Sequence, residues 1–91
     1  MRIRAPEVAD ALARDVAGAV EALRDLELYK PPGVAETIDW AHSLAMLGAT
    51  RLDEGSVDAT LGTILKYHED HARVRAHGLD VLVRAAMARS A

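Results

Sequence analysis

The apolar residues of this chain recur mostly at intervals of three and four, which is the spacing of one face of an α-helix. The first such stripe predicts a helix over 6–27, and Pro6 suits its first turn because the missing amide proton is not needed there. Later stripes predict helices over 34–47, 54–66 and 69–88. The pattern therefore predicts an all-α fold, a small four-helix bundle formed by one domain.

The break between the first two helices is the most constrained part of the chain. Pro31 and Pro32 donate no backbone hydrogen bond and restrict the residue before each of them, so no helix can run from Lys30 into Gly33. The second helix carries two apolar rows at helical spacing, and Trp40 is interpreted as a packing residue whose indole N–H is hydrogen-bonded. The two rows are Val34, Ile38, Ala41 and Ala45, and Trp40, Leu44 and Leu47.

Several single residues carry local predictions. Gly48 is expected to follow the end of the second helix, and Asp53 to cap the third by accepting a hydrogen bond from an amide of its first turn. Gly18 and Gly62 lie inside helices, where glycine costs about 1 kcal/mol against alanine, so we interpret them as candidate close crossings. Gly78 is expected to kink the last helix.

Charged residues are scattered along the chain, and the formal net charge is −3. This scatter argues against nucleic acid as a partner, because a phosphate-binding surface needs clustered Lys and Arg. The charged residues of the first helix and the polar run 67–70 are interpreted as solvated surface. Those of the first helix are Arg14, Asp15, Glu21, Arg24 and Asp25.

Composition narrows the class of protein. Apolar residues make up 51% of the chain, but alanine dominates them and phenylalanine is absent, which favours close helix packing over a β-sandwich. The chain has no cysteine, which suits a cytoplasmic protein. No apolar run approaches the roughly 20 residues that span a bilayer, so we expect a soluble protein without a membrane partner.

Motifs for chemistry are scarce. The chain contains neither GxxxxGK[ST] nor HExxH, so it is not expected to hydrolyse ATP by itself. His68 and His71 share a helix face and could both ligate a metal, but a zinc site would need further ligands from His42, His77 or Asp70. We favour a solvated polar run at this position, and predict no metal site and no catalytic residue.

The run KPPGVAETIDWAHSLAMLGATRLDEGSVDATLGTILKY resembles the C-terminal helical lid domain of MoxR-type AAA+ ATPases, in the branch associated with maturation of carbon monoxide dehydrogenase. Its most distinctive part is PPGVAETIDWA, and the resemblance covers roughly 5–75. It implies that residues 1–91 are the C-terminal part of a larger ATPase that uses ATP and magnesium. The fragment itself would be no enzyme.

The resemblance also implies partners. They are the AAA+ core domain of the same chain, neighbouring subunits of a ring, and a client metalloenzyme or a von Willebrand A-domain protein. Such ATPases resemble chaperones in their action and lie in the cytoplasm. The alternative is a free-standing helical interaction or dimerisation module, whose partner face would be the last apolar stripe, from Leu79 to Met87.

In lids of this kind an arginine at the start of the third lid helix contacts the nucleotide phosphates. The position in this chain that matches the arginine is Glu36 or Thr37, near the start of the predicted helix 34–47. The chain departs from the family there, because a carboxylate cannot stabilise phosphoryl charge. Lys30 is the nearest positive charge. The predicted nucleotide-facing edge consists of Lys30, Gly33, Val34, Ala35, Glu36 and Thr37.

Overall fold

The computed structural model describes the backbone of residues 5–90 and the side chains of residues 10–89. Five α-helices lie within this range, which contains no β-strand. The all-α prediction is therefore confirmed. In chain order the helices are α1 (Ala5–Arg24), α2 (Val34–Met46), α3 (Glu54–Ile64), α4 (His68–His77) and α5 (Leu79–Ser90).

The predicted last helix, 69–88, is two helices separated by Gly78. This residue has a φ of 108°, a conformation that side chains with a Cβ rarely adopt. Its amide donates to the carbonyl of Val74 at 3.0 Å and closes α4, and α5 begins at the next residue. The glycine thus ends a helix, where the sequence pattern indicated only a kink, and residues 5–90 form five helices where four were predicted.

Local capping chemistry sets other helix ends. Asp53 accepts a hydrogen bond from the amide of Ser56 at 2.7 Å, which confirms it as the N-cap of α3. Gly48 follows α2 with a φ of 80°, as expected of a residue just beyond a helix. The third helix stops at Ile64, two residues earlier than predicted, because Leu65 has an extended backbone.

The core lies where α1 packs against α5 and α2 packs against α3. Trp40 is fully buried, and its Nε1 donates to Oγ1 of Thr60 at 2.7 Å, which confirms its interpretation as a packing residue. No described helix has both the length and the apolar content needed to cross a bilayer. The largest buried apolar residues are Leu23, Trp40, Leu44, Leu65 and Leu82, with Val16, Val57 and Val74.

The second helix turns only one of its two apolar rows towards the core. Trp40 and Leu44 are fully buried, whereas Val34 is 73% exposed and Ile38 is 51% exposed. Ala41 lies at the margin, partly buried against the core. The sequence pattern joins the two rows into one helix face, but in the structure only the row of Trp40 and Leu44 enters the core. The row of Val34 and Ile38 lies at the surface.

The closest helix crossing joins α1 to α5. A Cβ built on Gly18 would lie 2.6 Å from the carbonyl oxygen of Ala86, so only glycine fits between the two backbones. The expectation for Gly18 is confirmed, but that for Gly62 is wrong, because nothing lies within 4 Å of a Cβ there.

Leu82 and Ala86 are buried, so the stripe from Leu79 to Met87 packs inside the bundle and is no spare partner face.

We expect Gly18→Ala to lower the free energy of unfolding by about 1–3 kcal/mol, because the added methyl group must push two helix backbones apart. Gly62→Ala is the matched control, because Gly62 lies inside α3 with no atom close to the added methyl group. It should raise the free energy of unfolding by about 0.5–1 kcal/mol, since alanine favours a helix more than glycine does. Urea unfolding followed by circular dichroism measures both. Stabilisation by both substitutions would contradict the close crossing.

Candidate functional site

The six residues of the predicted nucleotide-facing edge lie together at the N-terminus of α2 and in the loop before it. Lys30, Val34 and Ala35 are exposed, and the other three are partly buried. Their proximity follows from their closeness in sequence. What the fold adds is the set of contacts that hold this edge in place.

Asp70, in the first turn of α4, anchors the loop before α2. Its carboxylate is only 2% exposed and accepts from the amide of Tyr29 at 2.7 Å and from the amide of Lys30 at 3.0 Å. Arg24 adds a hydrogen bond from Nη2 to the carbonyl of Pro32 at 3.3 Å. The interpretation of 67–70 as solvated is therefore wrong for Asp70, which binds backbone amides in place of water.

Asp15, in α1, anchors the loop after α2. Its side chain is fully buried and accepts from the amide of Leu52 at 3.1 Å and from Nε and Nη2 of Arg51 at 2.7 and 3.0 Å. The hydrogen bond and the negative charge of Asp15 raise the pKa of Arg51. The interpretation of Asp15 as a solvated surface residue is wrong. Buried carboxylates therefore hold the chain on both sides of α2.

The carboxylate of Glu36 occupies the anion position at the N-terminus of α2. Its Oε1 accepts from the amide of Gly33 at 3.0 Å, and the hydroxyl of Thr37 donates to the carbonyl of Gly33 at 2.7 Å. The Gly33 hydrogen bond is the largest cause that lowers the pKa of Glu36, and the charges of Lys30 and Lys66 lower it further. Because Glu36 already engages the Gly33 amide, Lys30 is the group of the predicted edge best suited to meet a phosphate.

An apolar groove adjoins this edge, between α1 and α2. Its volume is about 280 Å³, and Val34 and Ile38 form the α2 side. Ala17 and Val20 of α1 form the other side, with Glu21 and Arg24 at the rim. The site therefore combines a charged edge with an exposed apolar row, an arrangement suited to binding another molecule.

Among the described residues, the histidine pair is not joined by a third potential metal ligand. The rings of His68 and His71 lie edge to face with centroids 5.7 Å apart, and Nε2 of His71 is 2.7 Å from the carbonyl oxygen of Leu65. That nitrogen must carry a proton to donate there, so it is not free to ligate. Asp70 is committed to backbone amides, and the described part of the chain contains no group of three or more potential ligands.

Comparisons with protein-family models, with curated proteins and with solved structures give no match. The likeness to the lid of MoxR-type ATPases therefore rests on the quoted residues alone. The geometry adds a hydrogen-bonded polar edge at the N-terminus of α2 and an apolar groove beside it. It brings together no metal-binding cluster within the described residues.

We expect Glu36→Gln to lower the melting temperature at neutral pH, because a neutral amide accepts less strongly from Gly33 and loses its attraction to the helix dipole. A carboxylate whose pKa falls on folding adds stability above its ordinary pKa of 4.5, and this stability is lost as the pH falls through the folded-state pKa. The difference between wild type and variant should therefore be largest at neutral pH and disappear in acid.

The matched control is Glu54→Gln, in the first turn of α3, where the N-cap amide of Asp53 donates to Oγ of Ser56 instead. It should show a smaller difference at neutral pH. Thermal melts followed by circular dichroism between about pH 2 and pH 7 measure both variants. A Glu36→Gln difference that does not change with pH would contradict the capping role of the carboxylate.

Proposed function

We propose that this chain is the lid domain of a MoxR-type AAA+ ATPase in the cytoplasm. In this role it couples ATP binding and hydrolysis in the ATPase core to chaperone-like maturation of a metalloenzyme. The fragment supplies no catalytic group, and the magnesium and the ATP-cleaving residues belong to the core. The observation that carries the proposal is the exposed apolar row of α2, which begins at the charged edge.

The exposed row fits a lid that docks on a core domain. Val34 and Ile38 lie four residues apart on one helix face, and covering the surface that they still expose would gain about 2–4 kcal/mol in total. Ala17 widens the apolar surface across the groove. A contiguous exposed apolar surface of this kind is typical of an interaction site. A lid needs such a surface because it must pack against the core while the nucleotide is bound.

The position of the row also fits a lid. Val34 belongs both to the apolar row and to the predicted nucleotide-facing edge, so docking the row brings the edge to the same partner. Lys30 is exposed and has no ion pair among the described residues. It can supply the positive charge that an arginine supplies in other lids, where this chain has Glu36 or Thr37.

The alternative is a free-standing interaction or dimerisation module, and the same exposed row favours it. In that case Val34 and Ile38 would meet a second copy or another protein. The reading frame upstream of Met1 distinguishes the two. A frame that continues into a GxxxxGK[ST] motif supports the lid, and an upstream stop codon without such a motif supports the module.

We expect Val34→Asp in the complete ATPase to lower ATP turnover about tenfold or more, because it removes an apolar contact worth about 1.5 kcal/mol and places a charge in the docking surface. Val81→Asp is the matched control. Val81 is 39% exposed in the first turn of α5, so both substitutions place the same charge in a first helical turn.

Steady-state ATP turnover of the purified complete protein measures both variants, and melting temperatures confirm that both fold. Reduced turnover with Val34→Asp and near wild-type turnover with Val81→Asp supports a docked lid. Equal turnover in the two variants would overturn the proposal that this row packs against the ATPase core.

A further inference from the structure

A second groove lies between the segment that follows α1 and the helix α4, and its volume is about 400 Å³. Glu27 and Tyr29 line it on one side, and Glu69, Ala72 and Arg73 line it on the other. A cleft of this size is at the lower end of the range that binds small ligands, so it has room for one long side chain. The groove shares no residue with the exposed apolar row of α2 or with the predicted nucleotide-facing edge.

Two glutamates that are distant in sequence give this groove a negative charge. The side chains of Glu27 and Glu69 are exposed, and neither belongs to an ion pair within the described residues. Asp70 supplies a third carboxylate, and Arg73 is the one positively charged residue among the described residues that line the groove. Because a cleft lined mainly by one sign of charge attracts the opposite charge, the groove favours a cation at the two glutamates.

Tyr29 is held in place and yet remains open to a partner. Its amide donates to the buried carboxylate of Asp70 at 2.7 Å, which fixes the backbone. Its ring lies beside the ring of Tyr67, with centroids 6.0 Å apart and planes tilted by 53°, a favourable separation for an aromatic pair. Nevertheless, 78% of Tyr29 is exposed. Since the face of a tyrosine ring attracts positive charge, this ring also favours a cation in the groove.

We infer that this groove binds an arginine side chain of a partner protein. The guanidinium group hydrogen-bonds to the carboxylates of Glu27 and Glu69 and stacks on the ring of Tyr29, and the methylene stem lies against Ala72. Arginine fits better than lysine, because its planar guanidinium bonds to carboxylates and stacks on an aromatic ring, whereas an ammonium group is a point charge. Tyrosine and arginine are also enriched among the residues that contribute most to protein interfaces. The inference does not rest on the proposed function.

Other positive charges restrict the site to one cation. Arg73 lies one helical turn after Glu69 and also lines the neighbouring groove of about 260 Å³, together with Leu26 and His77. Lys30 follows Tyr29 in sequence but does not line the groove. A second basic residue in the partner would meet Arg73. The groove therefore selects a segment in which a single arginine is followed by apolar or acidic residues.

The test is a titration of this chain with the peptide acetyl-Ala-Arg-Ala-amide, followed by backbone amide resonances. The control peptide has citrulline in place of arginine, because citrulline has nearly the same shape but no charge. The arginine peptide should shift the resonances of residues 27, 29, 69 and 72, and should bind at least about fivefold more tightly than the citrulline peptide. Unchanged resonances at these residues, or equal binding of the two peptides, would overturn the inference.

Substitutions assign the binding to this groove. Glu69→Gln should weaken binding of the arginine peptide about two- to fivefold, and Arg73→Gln should strengthen it by a similar factor because a competing cation is removed. Tyr29→Leu should also weaken it, because the aliphatic side chain has no ring face. Glu54→Gln is the matched control, since Glu54 is exposed in the first turn of α3 as Glu69 is in that of α4.

The control should leave the affinity for the arginine peptide unchanged, and melting temperatures confirm that all variants fold. Equal weakening by Glu69→Gln and Glu54→Gln would contradict a site in this groove, because it would show that only the net charge of the chain matters. The titration needs no ATPase core, so its failure is distinct from a failure of the docking test with Val34→Asp.

Discussion

Two buried carboxylates position α2, and the site at its N-terminus depends on them. Removing a charge from water costs several kcal/mol, so a buried aspartate is stable only when hydrogen bonds replace its hydration. Asp70 accepts two backbone amides, and Asp15 accepts one amide and two guanidinium hydrogens. No buried side-chain nitrogen or oxygen in the described part of the chain lacks a partner. Breaking either aspartate's contacts would leave an uncompensated charge, which makes the two loop positions well defined.

Because its flanking loops are fixed, α2 can hold to the bundle through one row of side chains and present the other. Trp40 anchors the inner row through its hydrogen bond to Thr60, in a core closed on the other side by the contact of α1 with α5. The outer row starts with Val34, directly after the loop that carries Lys30. The exposed apolar row and the charged side chains of Lys30 and Glu36 therefore lie at the same end of one helix, and the lid proposal draws on this juxtaposition.

Local chemistry made much of the fold predictable from the sequence. The adjacent Pro31 and Pro32 predict the break between α1 and α2 from local sequence alone. The glycines needed knowledge of the partner helix, because Gly18 lies at a crowded crossing and Gly62 does not, although both lie inside helices. The roles of Asp15 and Asp70 were missed because the residue type alone does not distinguish an aspartate that faces water from one that accepts hydrogen bonds from a loop. A signal was present, since Asp15 lies three residues after Leu12 and four before Ala19, on the buried face. The hydrogen bonds from the amides of Tyr29 and Lys30 to Asp70 could not have been predicted, because about 40 residues separate the partners along the chain.

The most direct test of this account is the hydrogen exchange of the amides of Tyr29 and Lys30 in wild type and in Asp70→Asn. Both amides should be protected in wild type, although they lie in an exposed loop, and both should exchange faster in the variant. The amide of Leu52, which is held by Asp15, should stay protected in the variant and so report that the bundle remains folded. Rapid exchange of Tyr29 and Lys30 in wild type, or equal protection in the two proteins, would contradict the claim that Asp70 fixes this loop.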